Sequence, residues 1–232
     1  MKKSVLFLIT LFLVGMTFTL KSQNMTQDEK NSYAIGANYG ESLKNAGVDI
    51  NVAAFTAGLA DALKGENKLT MEEMEACFED LQRKIEAKQN AGNEVEKERG
   101  RQFLAENKKR EGVKETESGL QYEVIVMGDG PRPAATDQVK VHYTGKTIDG
   151  EIFDSSVPRG EPIVFGLNQV IRGWTEGLQL MPVGSKYMFY IPSDLAYGER
   201  GAGGTIKGGA TLIFEVELLD IPGITDKIQT EK

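Results

Sequence analysis

The chain is short of the side chains that carry covalent and metal chemistry. Its 232 residues contain one cysteine, Cys77, one histidine, His142, and one tryptophan, Trp174. One cysteine excludes an intramolecular disulfide and a thiolate metal cluster. One histidine excludes a histidine-rich metal site. Positive charge is also scarce: 27 Lys and Arg face 34 Asp and Glu, for a net charge of −7. Binding along a phosphate backbone needs a basic stripe, so nucleic acid is excluded as a partner class. The glycine-rich run Gly203-Gly204-Thr205-Ile206-Lys207-Gly208-Gly209 lacks the Gly-Lys-Ser/Thr ending of a phosphate loop. No nucleophile–base pair is written anywhere in the pattern.

What is present is ordinary soluble-protein material, with 40% hydrophobic and 26% charged residues. The length suffices for one large domain or two small ones, each with its own core. The amino terminus reads as an export signal. Lys2 and Lys3 precede an apolar run from Val5 to Val14, broken only by Thr10, and the uncharged stretch ends at Lys21. That is short for a membrane span, although an uncleaved anchor remains the alternative. No cysteine follows the run, so no lipid attachment site is written. The expected location is periplasm or outer membrane.

Residues 26–110 are expected to be helical. Thr26 with Glu29, and Thr70 with Glu73, fit capping boxes. Between them Val52, Phe55, Leu59 and Leu63 share one helical face, and Gly65 supplies a stop. Gly36 and Gly40 leave room for another backbone. Met74, Phe78, Leu81 and Ile85 form a stripe, with Cys77 beside it as a packing residue. Beyond Ile85 the pattern becomes polar all round, as in a rod crossing solvent. About 40 helical residues would span roughly 60 Å. Gly92 and Gly100 leave open two helices with a break between them.

From Leu120 the period changes to two. Leu120, Tyr122, Val124 and Val126 alternate; so do Val139, Val141 and Tyr143; Tyr187, Phe189 and Ile191; and Leu212, Phe214, Val216 and Leu218. Asp149-Gly150 marks a hairpin turn. A short helix is expected near Trp174 to Leu180, stopped by Pro182. In this scheme His142 points to solvent. Aromatic and β-branched residues gathered from separate elements, with a carboxylate and a phenol among them, make a recipe for an apolar pocket with few polar groups. Taken one at a time, each aromatic is equally a core residue and Asp154 equally a turn residue.

The ordered set Val141-His142-Tyr143-Thr144-Gly145, Phe153-Asp154-Ser155-Ser156, Val170-Ile171-Arg172-Gly173-Trp174, Leu195-Ala196-Tyr197-Gly198 and Ala210 to Leu219 resembles the FKBP-type peptidyl-prolyl cis-trans isomerases. Tyr33-Ala34-Ile35-Gly36, the turn Gly47 to Asn51 and the run Ser118 to Tyr122 are similar to exported bacterial members, the macrophage infectivity potentiator and FkpA classes. The resemblance implies an α+β protein: an all-helical dimerisation domain with a long connecting helix, then an antiparallel sheet wrapped around a short helix. It implies a signal peptide at 1–22, a helical region at 23–115, an isomerase domain at 116–223 and a polar tail at 224–232. It implies rotation of Xaa-Pro bonds in exported proteins without any cofactor or metal, chaperone-like help to folding, and a homodimer through residues 26–90. Clients would be unfolded or proline-containing polypeptides, and macrolide inhibitors of the family would share the pocket. Asp154, Tyr197 and the Ile171 N–H would be catalytic. Tyr143, Phe153, Phe165, Val170, Trp174, Ile206 and Phe214 would bind substrate. The loop at 203–209 departs from the family by carrying glycines where prolines are common, which implies a more mobile flap, and Ala202 stands where the family often has a polar or aromatic residue, which puts substrate contacts from the flap in question. A holdase with a silent pocket is the competing reading, and a purely structural dimer spacer leaves the pocket residues unexplained.

Overall fold

The computed structural model describes residues 25–223. The expected signal peptide and polar tail lie outside them. Among the described residues no helix is long and apolar enough to cross a membrane. The chain forms two compact units that divide between Ala76 and Cys77, inside the third helix.

The first unit is helical. Helix α1 spans Gln27–Asn45 and α2 spans Val52–Lys64. The capping box at Thr26 forms: the Glu29 N–H donates to Thr26 Oγ1, and Glu29 accepts from the Thr26 backbone at 2.7 Å. Gly65 closes α2 in the left-handed conformation (φ 74°), where a side chain would be strained. Thr70 caps the next helix in the same way as Thr26, with its N–H 2.8 Å from Glu73. Neither α1 nor α2 has a buried residue. Tyr33, Ile35, Tyr39, Val52, Leu59, Leu63 and Phe78 are exposed, and nothing approaches Gly36 or Gly40. Cys77 is exposed as well, against the expectation of packing.

Helix α3 runs unbroken through Met71–Asn107, so Gly92 and Gly100 do not interrupt it. Gly100 has a packing role. It is buried, and a Cβ there would collide with Thr211 Oγ1 at the start of the last strand. The carboxyl-terminal turns of α3 therefore lie on the sheet and do not cross solvent. Their polar side chains bond to the sheet unit: Asn107 Nδ2 donates to Gln121 Oε1 at 2.8 Å, and both residues are buried. The Phe103 ring lies 6.0 Å from that of Tyr190. A polar helical face hid this contact from a hydrophobicity pattern.

Seven strands follow: β1 Val113–Glu115, β2 Gln121–Val126, β3 Gln138–Thr147, β4 Ile152–Ser155, β5 Ile163–Gly166, β6 Lys186–Ile191 and β7 Leu212–Asp220. The sheet thus opens at Val113, earlier than the change of period at Leu120. All pairings are antiparallel, in the order β1-β2-β6-β7-β3-β4. The free edge of β3 is shared: its first half pairs with β5 and its second half with β4. Helix α4, Arg172–Gln179, begins two residues before the expected start and lies across the sheet. Its Gly173 and Gly177 permit that contact, since a Cβ on either would collide with Ile191 or Phe189. Between helix and sheet sits the core, including Leu120, Val141, Leu178, Phe189, Leu212 and Val216. Burying each such side chain contributes about 1.5–3 kcal/mol. The architecture is the α+β fold expected, with helices first and the sheet around a short helix second.

Candidate functional site

The cavity lies where β3, β4, β5 and β7 curl around the start of α4. Its volume is about 570 Å³, the size of a small-ligand pocket. Trp174 lines it. Gly173 holds the first turn of α4 against Ile191, and Thr175 Oγ1 bonds the Leu167 carbonyl at 2.6 Å, which fixes where the indole points. Trp174 is 5% exposed. Three rings surround it: Tyr143 at 5.2 Å and 85°, Phe214 at 5.2 Å and 79°, and Phe165 at 5.4 Å. Phe153 meets Phe214 edge to face at 5.5 Å and 81°. Each edge-to-face pair adds about 0.5–1.5 kcal/mol beyond area burial, so the walls are stiff. The Trp174 Nε1 is buried and has no hydrogen-bond partner among the described residues.

The charge in this wall is held tightly. The Tyr143 hydroxyl donates a short hydrogen bond to Asp154 Oδ2, and Arg159 Nη1 donates to Asp154 Oδ1 at 2.8 Å. Register explains the pairing: Asp154 faces Gly145 across the β3–β4 ladder, two residues beyond Tyr143 on the same face. Burial alone would push the Asp154 carboxyl up, but the bonds from Tyr143 and Arg159 together outweigh it and hold the group below the usual carboxylate range. Burial, then the bond to Asp154, pushes the Tyr143 phenol above its ordinary value. Asp154 is therefore an anion at neutral pH with both oxygens engaged.

Ile171 is the residue before α4, and its N–H makes no hydrogen bond among the described residues. Tyr197 follows a 3-10 turn at Ser193–Leu195; it is 40% exposed and its hydroxyl also has no partner among those residues. Both line the cavity and offer donors to it.

Of the ten residues singled out in the sequence, nine line this cavity: Tyr143, Phe153, Asp154, Phe165, Val170, Ile171, Trp174, Tyr197 and Phe214. Ile206 does not. It is 8% exposed and packs in the core, bridged to Ala202 by two backbone hydrogen bonds. Ile163 and Gln169 line the cavity and were missed. Ile163 is readable only once β5 is known to pair with β3. Arg159 was missed too; a surface arginine in a loop carries no signal until the loop folds back on Asp154. His142 differs from expectation. It is half-buried, with Nδ1 3.0 Å from Ser156 Oγ, just beyond β4.

An aromatic pocket at the end of a short helix, wrapped by an antiparallel sheet and holding one ion-paired carboxylate, suits a small apolar group with a few polar contacts at its rim. Comparison with known proteins names the class. Residues 130–219 match the family described as FKBP-type peptidyl-prolyl cis-trans isomerase, and residues 28–124 match the domain amino terminal to it. An FKBP-type peptidyl-prolyl cis-trans isomerase FkpA of Aeromonas hydrophila is 48% identical over 212 residues, covering 87% of this chain and 79% of the relative. The outer membrane protein MIP of Legionella longbeachae is 42% identical, covering 89% and 91%. The crystal structure of FkpA from Escherichia coli superposes with a TM-score of 0.64 at 36% identity, over 84% of this chain and 97% of that one. The chain belongs to the FKBP-type peptidyl-prolyl cis-trans isomerase family. It is an isomerase of Xaa-Pro bonds, and proline-containing chains are its substrates.

Proposed function

We propose that the cavity works by sheltering a twisted amide. The barrier to rotation about the peptide bond, about 18–20 kcal/mol, comes from resonance in the planar form. Twisting removes that resonance and with it much of the charge separation between nitrogen and oxygen. A dry aromatic pocket therefore disfavours the twisted state less than the planar one, which is differential stabilisation without covalent chemistry. Phe153, Phe165, Val170, Trp174, Phe214 and the Tyr143 ring enclose the proline. The Ile171 N–H and the Tyr197 phenol hold substrate carbonyls. Asp154, a fixed anion, lies beside the rotating carbonyl and raises the energy of the more polar planar form. Its depressed pKa argues against a role as proton donor. Ile206, packed in the core within the loop, takes no direct part in enclosing the proline.

The same reading treats residues 1–22 as an export signal, 23–115 as the dimerisation region with its connecting helix, 116–223 as the isomerase domain and 224–232 as a tail. It gives the protein a periplasmic or outer-membrane location, unfolded chains as clients, and macrolide inhibitors of the family as competitors for the pocket. Exposed apolar side chains along α1, α2 and the start of α3 support a homodimer through residues 26–90.

The observation that carries the mechanism is the Trp174 cavity with its single ion-paired carboxylate. Purified protein should isomerise short Xaa-Pro peptides in the presence of chelator. Phe153→Ala should lose at least about ten-fold in kcat/KM, as for one buried ring contact of some 1.4 kcal/mol, while His142→Ala changes little. A folded Phe153→Ala variant as active as wild type would overturn the pocket assignment. A folded wild type with no turnover at all would leave the holdase.

A further inference from the structure

We propose that Asn93 and Lys97, on α3, are positioning residues for the reaction: they clamp the loop that carries Tyr197. The inference rests on the substrate-holding role given above to the Tyr197 phenol.

The loop from Gly198 to Gly209 has little order of its own. Its only ladder is the isolated bridge between Ala202 and Ile206. Gly198, Gly201, Gly203, Gly204 and Gly209 all have positive φ. Glycine loses more conformational freedom on ordering than any other residue, so a loop of this composition needs outside anchors. On one side the Gly198 N–H bonds the Ser193 carbonyl at 2.9 Å, and the Gly209 N–H bonds the Gly198 carbonyl at 2.8 Å.

The other anchors come from α3. Asn93 Nδ2 donates to the Glu199 carbonyl at 2.8 Å. Lys97 Nζ lies 2.7 Å from Glu199 Oε1, and Lys207 Nζ lies 3.3 Å from Glu96 Oε1. The approach is close at backbone level. A Cβ on Gly208 would collide with Asn93 Oδ1 and with the Glu199 carbonyl, and one on Gly209 with the Asn93 carbonyl. Glycine at these two positions lets the loop seat on the helix. Glu199 lies two residues beyond Tyr197, whose hydroxyl has no partner among the described residues. The phenol's aim is therefore set by backbone held at Ser193 before it and at Asn93 after it. Asn93 should matter more than Lys97, because the ion pair has a well-exposed carboxylate and is screened.

A double-mutant cycle on the full chain tests this. Asn93→Ala should lower kcat/KM on a short Xaa-Pro peptide about five-fold, the size of one lost hydrogen bond. In a Tyr197→Phe background the same substitution should cost almost nothing further, since it acts through a phenol already gone. Lys97→Met should show the same pattern at smaller amplitude, and it stands in if Asn93→Ala does not fold. Arg101→Ala, on the same helix and paired with Glu98, should leave activity unchanged. Amide exchange gives a reading independent of turnover: the Ile206 and Gly209 amides should exchange faster in Asn93→Ala, while those of β3 and β7 do not. Losses that multiply in both backgrounds, or unchanged exchange in the loop, would overturn the inference alone. Full activity of Tyr197→Phe by itself would overturn the phenol's role, and this inference with it.

Discussion

Asp154 shows how far a single residue's chemistry depends on its neighbours. Its type and position suit a turn as well as a site; the Tyr143 and Arg159 bonds decide. The pH consequence has a definite sign. The folded carboxyl titrates lower than the unfolded one, whose ordinary value is about 3.9. The stabilisation is thus complete above that value and is lost as pH falls through the lower, folded value. Asp154→Asn should accordingly melt below wild type at neutral pH, and the gap should narrow below about pH 4. Melting curves from pH 7 to 3 check this. A gap independent of pH would mean the carboxylate's charge contributes nothing to the fold. The side chain is partly exposed, so the effect should be modest.

At the scale of elements, the end of α3 belongs to the sheet as much as to the helices. Gln121 is 1% exposed and has three partners: it accepts from Asn107, and it donates to the Leu104 carbonyl at 3.0 Å and to Glu115 at 2.7 Å. Asn107→Ala leaves the Gln121 oxygen buried without that donor, at a cost of about 1–3 kcal/mol. Urea unfolding of the sheet unit should register it as a lower midpoint at unchanged slope. For the same reason a fragment cut at Thr116 should melt well below one cut near Asn90, which keeps the final turns of α3 and strand β1. Equal melting of the two fragments would mean that the helix end contributes nothing to the sheet's stability.

For the whole molecule, α1, α2 and the start of α3 carry large apolar side chains that are exposed among the described residues. Phe78 is 67% exposed, Val52 71% and Leu63 81%. Exposed apolar side chains of this kind suit an association surface, and the homodimer proposed above would cover them with a second copy, related by two-fold symmetry. Light scattering of the chain without residues 1–22 should therefore give twice the chain mass. Leu63→Glu with Phe78→Glu should give single chains that still turn over a short peptide, whose binding needs one pocket. Those single chains should be poorer at assisting a proline-limited protein client, which gains effective concentration from two pockets. A wild type of that length that scatters as one chain would refute the dimer.

Local patterns in the chain suffice for the kinds of element and most of the pocket. Period and caps place α1, α2 and the start of α3, because a capping box and a 3.6-residue stripe are local physics. Alternation places β2, β3, β6 and β7, and the order of aromatic motifs names nine of the lining residues. Tertiary structure alone decided the rest, and the reason is common to all of it. Arg159 reaches Asp154, Ser156 meets His142, Ile206 turns into the core, and the polar face of α3 meets the sheet unit at Gly100, Asn107 and Asn93. None of these follows from a repeating pattern, whether the partners are five residues apart, as Arg159 and Asp154 are, or 106, as Asn93 and Glu199 are. Such contacts leave no periodic trace, because a hydrogen bond or a missing Cβ acts at one position and repeats nowhere.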